Sequence, residues 1–147
     1  MLQIGVIGAG RCDEKIYRTA FRVGQLIAER GHVLINGGLG GVMEASARGA
    51  KSRNGTVVAV LPGKMDYCNE FSDIRIATDM GHARNVIIVH SSDALISVGG
   101  GYGTISEIAI ALKEGKKVAS LYPPVVIDGM KVFETPEEAV DYCISDS

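Results

Sequence analysis

The chain has 147 residues, of which 46% are hydrophobic and 22% charged, a length and balance that fit one globular domain and exclude a disordered chain. Its 15 Lys and Arg against 17 Asp and Glu leave a net charge of −2, which argues against a sequence-blind nucleic-acid binder, since such a protein needs excess positive charge to displace counterions. Cys12, Cys68 and Cys143 are odd in number and far apart, so neither a disulfide framework nor a zinc site is expected.

The chain alternates short apolar runs with helical patterns. Leu2–Ile7 reads as a strand, not a signal peptide, and ends in Gly8-Ala9-Gly10. A helix follows from about Asp13 to Arg30, with Ile16, Ala20, Val23 and Ile27 on one face and Gly31 placed to stop it. Val33–Ile35 is the second strand, closed by Asn36 and the glycines of Gly37–Gly41; Val42 to Lys51 is the next helix. Thr56–Leu61 is the third strand, Lys64–Asp73 a loop, and Ile74–Ala77 a short fourth strand.

Arg84–Ser92 has strand-like composition at Val86–Val89, but Asp93–Val98 directly after it is the better strand. Two consecutive strands without turn chemistry would break the alternation, so Arg84–Ser92 is expected to be helical. Gly99–Gly103 opens a helix over Thr104–Glu114 that is apolar nearly all round, and Lys117–Leu121 is expected as the last parallel strand. A terminal helix begins at Thr135-Pro136-Glu137-Glu138, with Thr at the N-cap and Glu three residues on. Strands separated by helices imply right-handed crossovers. The expected fold is α/β: a single doubly wound, Rossmann-like, mostly parallel sheet with helices on both faces, formed by residues 1–147 as one domain. No run is long enough to span a membrane, and a cytoplasmic protein with reduced thiols and no membrane or nucleic-acid partner is expected.

Glycine is the compositional outlier, 19 of 147 residues, about 13% against an ordinary ~7%. Three strand ends carry the excess. Glycine lets the backbone approach a phosphate, and the free N–H groups of a following helix then point at it. Gly8, Gly10, Gly37, Gly38, Gly100, Gly101, Gly103 and Thr104 are therefore expected to bind a small phosphorylated ligand. A dinucleotide is disfavoured: Asp13 stands at the third glycine position of G-x-G-x-x-G, and Asn36 and glycines replace the acidic residue after the second strand. No Gly-Lys-Ser/Thr of a Walker motif is present.

Gly100-Gly101-Tyr102-Gly103-Thr104-Ile105-Ser106-Glu107 has two readings. Thr104 and Glu107 have the spacing of a capping box, and Glu107 would also stand at the rim of a phosphate pocket. Arg84, at the start of its helix, can clamp a phosphate or sugar hydroxyls. The stripe Arg11, Lys15, Arg18, Arg22 reads as a solvated face, with Arg11 alone near a glycine turn. His32, His82 and His90 have no metal or triad spacing, and His82 is the one nearest Arg84. Cys12 lies near a helix N-terminus, a setting that lowers a thiol pKa, but it has no paired His. No metal ligand set is expected.

These residues resemble a known family. Gly100–Glu107 is similar to the PGGxGTxxE motif of the LONELY GUY (LOG) cytokinin-activating phosphoribohydrolases, which are often mislabelled lysine decarboxylases. Arg84 resembles the Arg of that family's MHxRK motif, and Gly37–Met43 resembles its GGGxxGLM stretch; together the likeness runs from Gly8 to about Leu121. Gly99 replaces the motif's Pro, Met80 stands one residue further from the Arg, and Asn85 replaces the Lys. These departures look closer to a sister branch of short proteins that includes the molybdenum-cofactor carriers, in which a phosphorylated pterin is bound and not transformed.

The resemblance implies two functions. One is a carrier or sensor that binds a nucleotide or a molybdopterin-type cofactor, with Glu107 mostly a helix cap. The other is hydrolysis of the N-glycosidic bond of a nucleoside 5′-monophosphate, with Arg84 and Glu107 catalytic and Glu107 beside the developing oxocarbenium charge. Neither requires a cofactor for chemistry, and no lysine is set for a pyridoxal Schiff base. The apolar helix and the resemblance together imply a homo-oligomer, a dimer or larger.

Overall fold

A computed structural model describes residues 1–145. Seven strands form one parallel sheet: β1 (Gln3–Gly8), β2 (Val33–Asn36), β3 (Val57–Leu61), β4 (Ile74–Ala77), β5 (Ala94–Val98), β6 (Lys117–Leu121) and β7 (Lys131–Val132). Their order is β4-β3-β2-β1-β5-β6-β7. The helices are α1 (Glu14–Glu29), α2 (Val42–Lys51), α3 (Arg84–His90), α4 (Tyr102–Lys113) and α5 (Pro136–Ile144), and a single 3-10 turn over Gly81–Ala83 leads into α3. The α/β, Rossmann-like class expected from the alternation is the one observed.

Side chains alternate across each strand, so the sheet feeds two cores. Ile4, Val6, Leu34, Ile96 and Leu121 pack with α1, α2 and α5 on one face; Ile7, Ile35, Val60, Leu95 and Val118 pack with α3 and α4 on the other. Strands buried on both faces read as unbroken apolar runs rather than alternating ones, which is why β5 and β6 were legible from composition. Helices α1 and α2 cross unusually closely. A Cβ at Gly24 would lie 1.9 Å from the Ser46 carbonyl oxygen, and one at Gly49 would lie 2.0 Å from that of Phe21.

The segment Arg84–His90 is helical, because its Ile88 and Val89 bury on one side while Val86 faces outward. Two expectations need correcting. Lys117–Leu121 is not the last parallel strand: β7 pairs with it through Ala119 and Ser120, and two residues are too few to carry a period. Thr104 is not an N-cap. The Ile105 N–H donates to the Gly101 carbonyl at 3.0 Å, so α4 begins at Tyr102 with Gly101 as its N-cap. Thr104 then sits inside the first turn and Glu107 lies beyond it, so no capping box forms there. The same pattern at Thr135 and Glu138 does form both reciprocal bonds, at 3.2 Å each. Sequence spacing alone did not separate the two cases.

Helix α4 is less apolar in its surroundings than its composition implied. It buries Thr104, Glu107, Ile108 and Ala111, leaves Ile105, Ile110 and Leu112 half-buried, and exposes Ala109. Among the described residues no helix is long and apolar enough to cross a membrane.

Candidate functional site

In parallel sheets the crevice for ligands opens where neighbouring strands send their chains in opposite directions. Here that point lies between β1 and β5, since the chain winds outward through β2, β3 and β4 and then returns beside β1. A cavity of about 380 Å³ opens there, at the lower end of the range that holds small-molecule ligands. Its apolar lining (the apolar wall) is Val6, Ile7, Leu39, Met43, Pro62 and Ile88, drawn from separate elements. Its polar lining (the polar wall) is Arg84, Asn85, Thr104, Glu107 and His82 with the bare backbone of Gly10, Gly101 and Gly103.

Arg84 is held inward by local chemistry. It is only 7% exposed. Its Nε donates to the Val60 carbonyl at 3.1 Å, and its Nη1 donates to Asn85 Oδ1. A Cβ at position 37 would lie 2.7 Å from Nη2, so glycine there is what gives the guanidinium its room. Burial pushes the Arg84 pKa down, and the charge of Glu107 opposes that shift.

Glu107 is 6% exposed and also lines the cavity. Among the described residues no side chain or backbone group hydrogen-bonds its carboxyl, and it forms no ion pair with Arg84 within 4.0 Å. Burial raises its pKa to about 7, and the Arg84 charge only partly offsets this. A carboxyl so placed can hold or release a proton near neutrality and can accept from a ligand.

The first turn of α4 has no side-chain cap, so the N–H groups of Tyr102, Gly103 and Thr104 stand where a helix supplies no intrahelical acceptor. With the dipole behind them they favour an anion. The glycines divide into two kinds. A Cβ at Gly101 or Gly103 would meet nothing within 4 Å, and one at Gly10 only Met43 Cε at 3.9 Å; these leave open space over the cavity. Gly8 lies against the Val98 carbonyl, where a Cβ would come to 2.5 Å. Gly38 and Gly100 have φ of +76° and +114°, and a Cβ at Gly100 would strike the Thr104 side chain.

Of the residues singled out from sequence, Gly8, Gly10, Gly37, Arg84, Gly101, Gly103, Thr104 and Glu107 all line this one cavity. Gly38 and Gly100 do not; the chain's own turns and packing require glycine there. The apolar wall and Asn85 were missed. Asn85 was read only as a departure from a motif, although its place beside Arg84 was the signal. His82 lines the cavity, whereas Arg11 is exposed and stands outside it. Cys12 has its pKa raised, chiefly by burial and then by Asp13 and Glu44, not lowered as its helix position implied.

The other polar residues have structural explanations. Arg18 pairs with Glu14, and Arg22 with Glu29 and Glu137. Lys15 lies over the Tyr122 ring at 4.0 Å. His32 Nδ1 accepts from the Leu2 N–H at 3.0 Å, and His90 faces Glu114 at 2.8 Å. Among the described residues no three His, Cys, Asp or Glu are grouped to hold a metal ion.

Gly103→Ala separates the two uses of a glycine. The added methyl touches no protein atom and removes a helix-destabilising residue, so thermal unfolding should show a gain of about 0.5–1 kcal/mol. The same methyl occupies the space over the first turn, so affinity for a phosphate-bearing ligand should fall. Unchanged affinity in a calorimetric titration would show that no ligand approaches that turn.

The fold and cavity define a Rossmann-like α/β protein of the kind that receives a small ligand beyond its strand ends. The chain belongs to the SLOG cluster4 family, which matches residues 1–144. Among solved structures it is similar to the molybdenum cofactor binding protein of Rippkaea orientalis, at 36% identity and a TM-score of 0.91, covering 96% of this chain and 94% of that one. It is also similar to the molybdenum cofactor carrier protein of Chlamydomonas reinhardtii, at 35% identity and a TM-score of 0.88, with the same coverage. A cytokinin riboside 5′-monophosphate phosphoribohydrolase of Mycobacterium tuberculosis is 33% identical over 118 residues, 78% of this chain and 63% of that protein. The resemblance drawn from the glycine, Arg and Glu motifs is the one these relatives bear out.

Proposed function

We propose that the protein binds a phosphate monoester of a small heterocycle, a nucleotide or a molybdopterin-type cofactor, in the carboxyl-edge cavity and acts as its carrier or sensor. The observation that carries this reading is the polar wall: an uncapped first turn of α4 with bare Cα atoms at Gly101 and Gly103, next to a buried, internally anchored Arg84. Gly10 and Gly37 complete the cradle. Among the described residues a single guanidinium lines the cavity, which matches one phosphate better than a di- or triphosphate. The apolar wall offers Met43, Leu39 and Pro62 to a flat ring. The resemblance to cofactor-binding and carrier proteins over almost the whole chain supports the same reading. In this role the protein works in the cytoplasm, and the half-buried apolar residues of α4 pack against a second copy; sedimentation as a monomer at micromolar concentration would contradict that last point.

A second reading, nucleoside 5′-monophosphate phosphoribohydrolase, is favoured by one specific observation. Glu107 is not a helix cap but a buried carboxyl that has no protein partner among the described residues and lines the same cavity as Arg84, whose charge acts on it. A group of that kind suits stabilisation of an oxocarbenium-like transition state or orientation of water. Incubation with AMP and other nucleoside monophosphates separates the two. The carrier reading expects ligand retained and no free base beyond background; free base that disappears in Glu107→Gln would establish the hydrolase instead.

A further inference from the structure

Asn85 is 8% exposed and lines the cavity beside Arg84. Its Oδ1 is already committed, because Arg84 Nη1 donates to it. A guanidinium has donors only, so an amide turned the other way would set donor against donor. The Nδ2 therefore faces away from Arg84. Among the described residues it has no acceptor, and no side-chain nitrogen or oxygen is both sealed from solvent and without a partner. The Nδ2 is thus open to the cavity. The residue as a whole is more than nine-tenths buried, so this donor is held in one orientation, with no protein acceptor among the described residues, facing the space a ligand would fill.

We infer that Asn85 contacts the ligand directly: its Nδ2 donates to a phosphate oxygen of the bound monoester while its Oδ1 keeps Arg84 in place. This rests on the reading of the cavity as a phosphate-monoester site. The side chain thereby does two things at once. It orients the Arg84 guanidinium, and it adds a neutral donor where the MHxRK motif that the segment resembles would add a second positive charge. A cradle with one charge and one neutral donor suits a single phosphate group.

The test is a titration of the full chain with AMP, and separately with inorganic phosphate, followed by side-chain amide ¹⁵N–¹H spectra. The sequence has four Asn and two Gln, so the Asn85 pair is assignable by its loss in Asn85→Asp. At saturation the Asn85 Nδ2 protons are expected to shift and to exchange with water at least about tenfold more slowly. Asn85→Asp keeps the acceptor for Arg84 and removes the donor, and it is expected to bind AMP about tenfold or more weakly. If the backbone amides of Gly101–Thr104 respond while the Asn85 amide stays unmoved, or if Asn85→Asp binds within twofold of the parent chain, the inference is overturned and the phosphate site stands. If neither probe moves any of these resonances, the phosphate reading itself fails, and with it the inference.

Discussion

Arg84→Met is expected to weaken binding of AMP by roughly 100-fold, about 3 kcal/mol, while the chain stays folded. Among the described residues the guanidinium is the one Arg or Lys group that lines the cavity, it is buried, and it is pre-positioned by Val60 and Asn85. Truncating a buried, hydrogen-bonded charge costs far more than removing an exposed one, where water and salt screen the loss. Methionine keeps much of the aliphatic stem, so packing against β3 is largely retained. The variant gives up the hydrogen bond to the Val60 carbonyl, which should lower stability by about 1 kcal/mol. Calorimetric titration and thermal unfolding read the two effects separately. Affinity within threefold of the parent chain would mean that Arg84 is a structural residue whose place beside the cavity is incidental.

Glu107→Gln should abolish a pH dependence of stability. The folded-state pKa is raised to about 7 by burial, whereas an unfolded Glu titrates near ~4.3. Between those values the folded chain binds a proton that the unfolded chain has released. The stabilisation from the neutral carboxyl is therefore fully present below the unfolded pKa and is lost as pH rises through about 7. By pH ~8 the charged, buried carboxylate should cost roughly 3–4 kcal/mol relative to its neutral form. Urea unfolding at a series of pH values should then show the variant's advantage smallest near pH ~4, growing as pH rises, and largest at pH ~8. Parallel curves would show that Glu107 is solvated in the free protein.

Much of this could be read in the residues. Buried parallel strands such as Ala94–Val98 announce themselves by composition, and the glycine runs mark the strand ends because a phosphate-sized crevice and a tight turn demand the same residue. That shared demand is also why sequence could not sort the glycines. Gly103 leaves space for a ligand, whereas Gly100 and Gly38 serve turns of positive φ, and only coordinates distinguish them. The start of α4 was missed because Tyr102 and Gly103 look like loop residues; the helix reaches back over them to Gly101. Glu107 thereby changed from a candidate cap to a carboxyl without a partner among the described residues. The apolar wall of Leu39, Met43, Pro62 and Ile88 was illegible because its members come from separate segments that meet only once the sheet is wound.

A crystal structure of the protein grown with AMP tests the central claim most directly. The account predicts phosphate density over the first turn of α4, within hydrogen-bond distance of the N–H groups of Gly103 and Thr104 and of the Arg84 guanidinium, with the ring against Met43 and Leu39. A nucleotide seated elsewhere on the molecule, or a cavity that holds only solvent at saturating AMP, would contradict it.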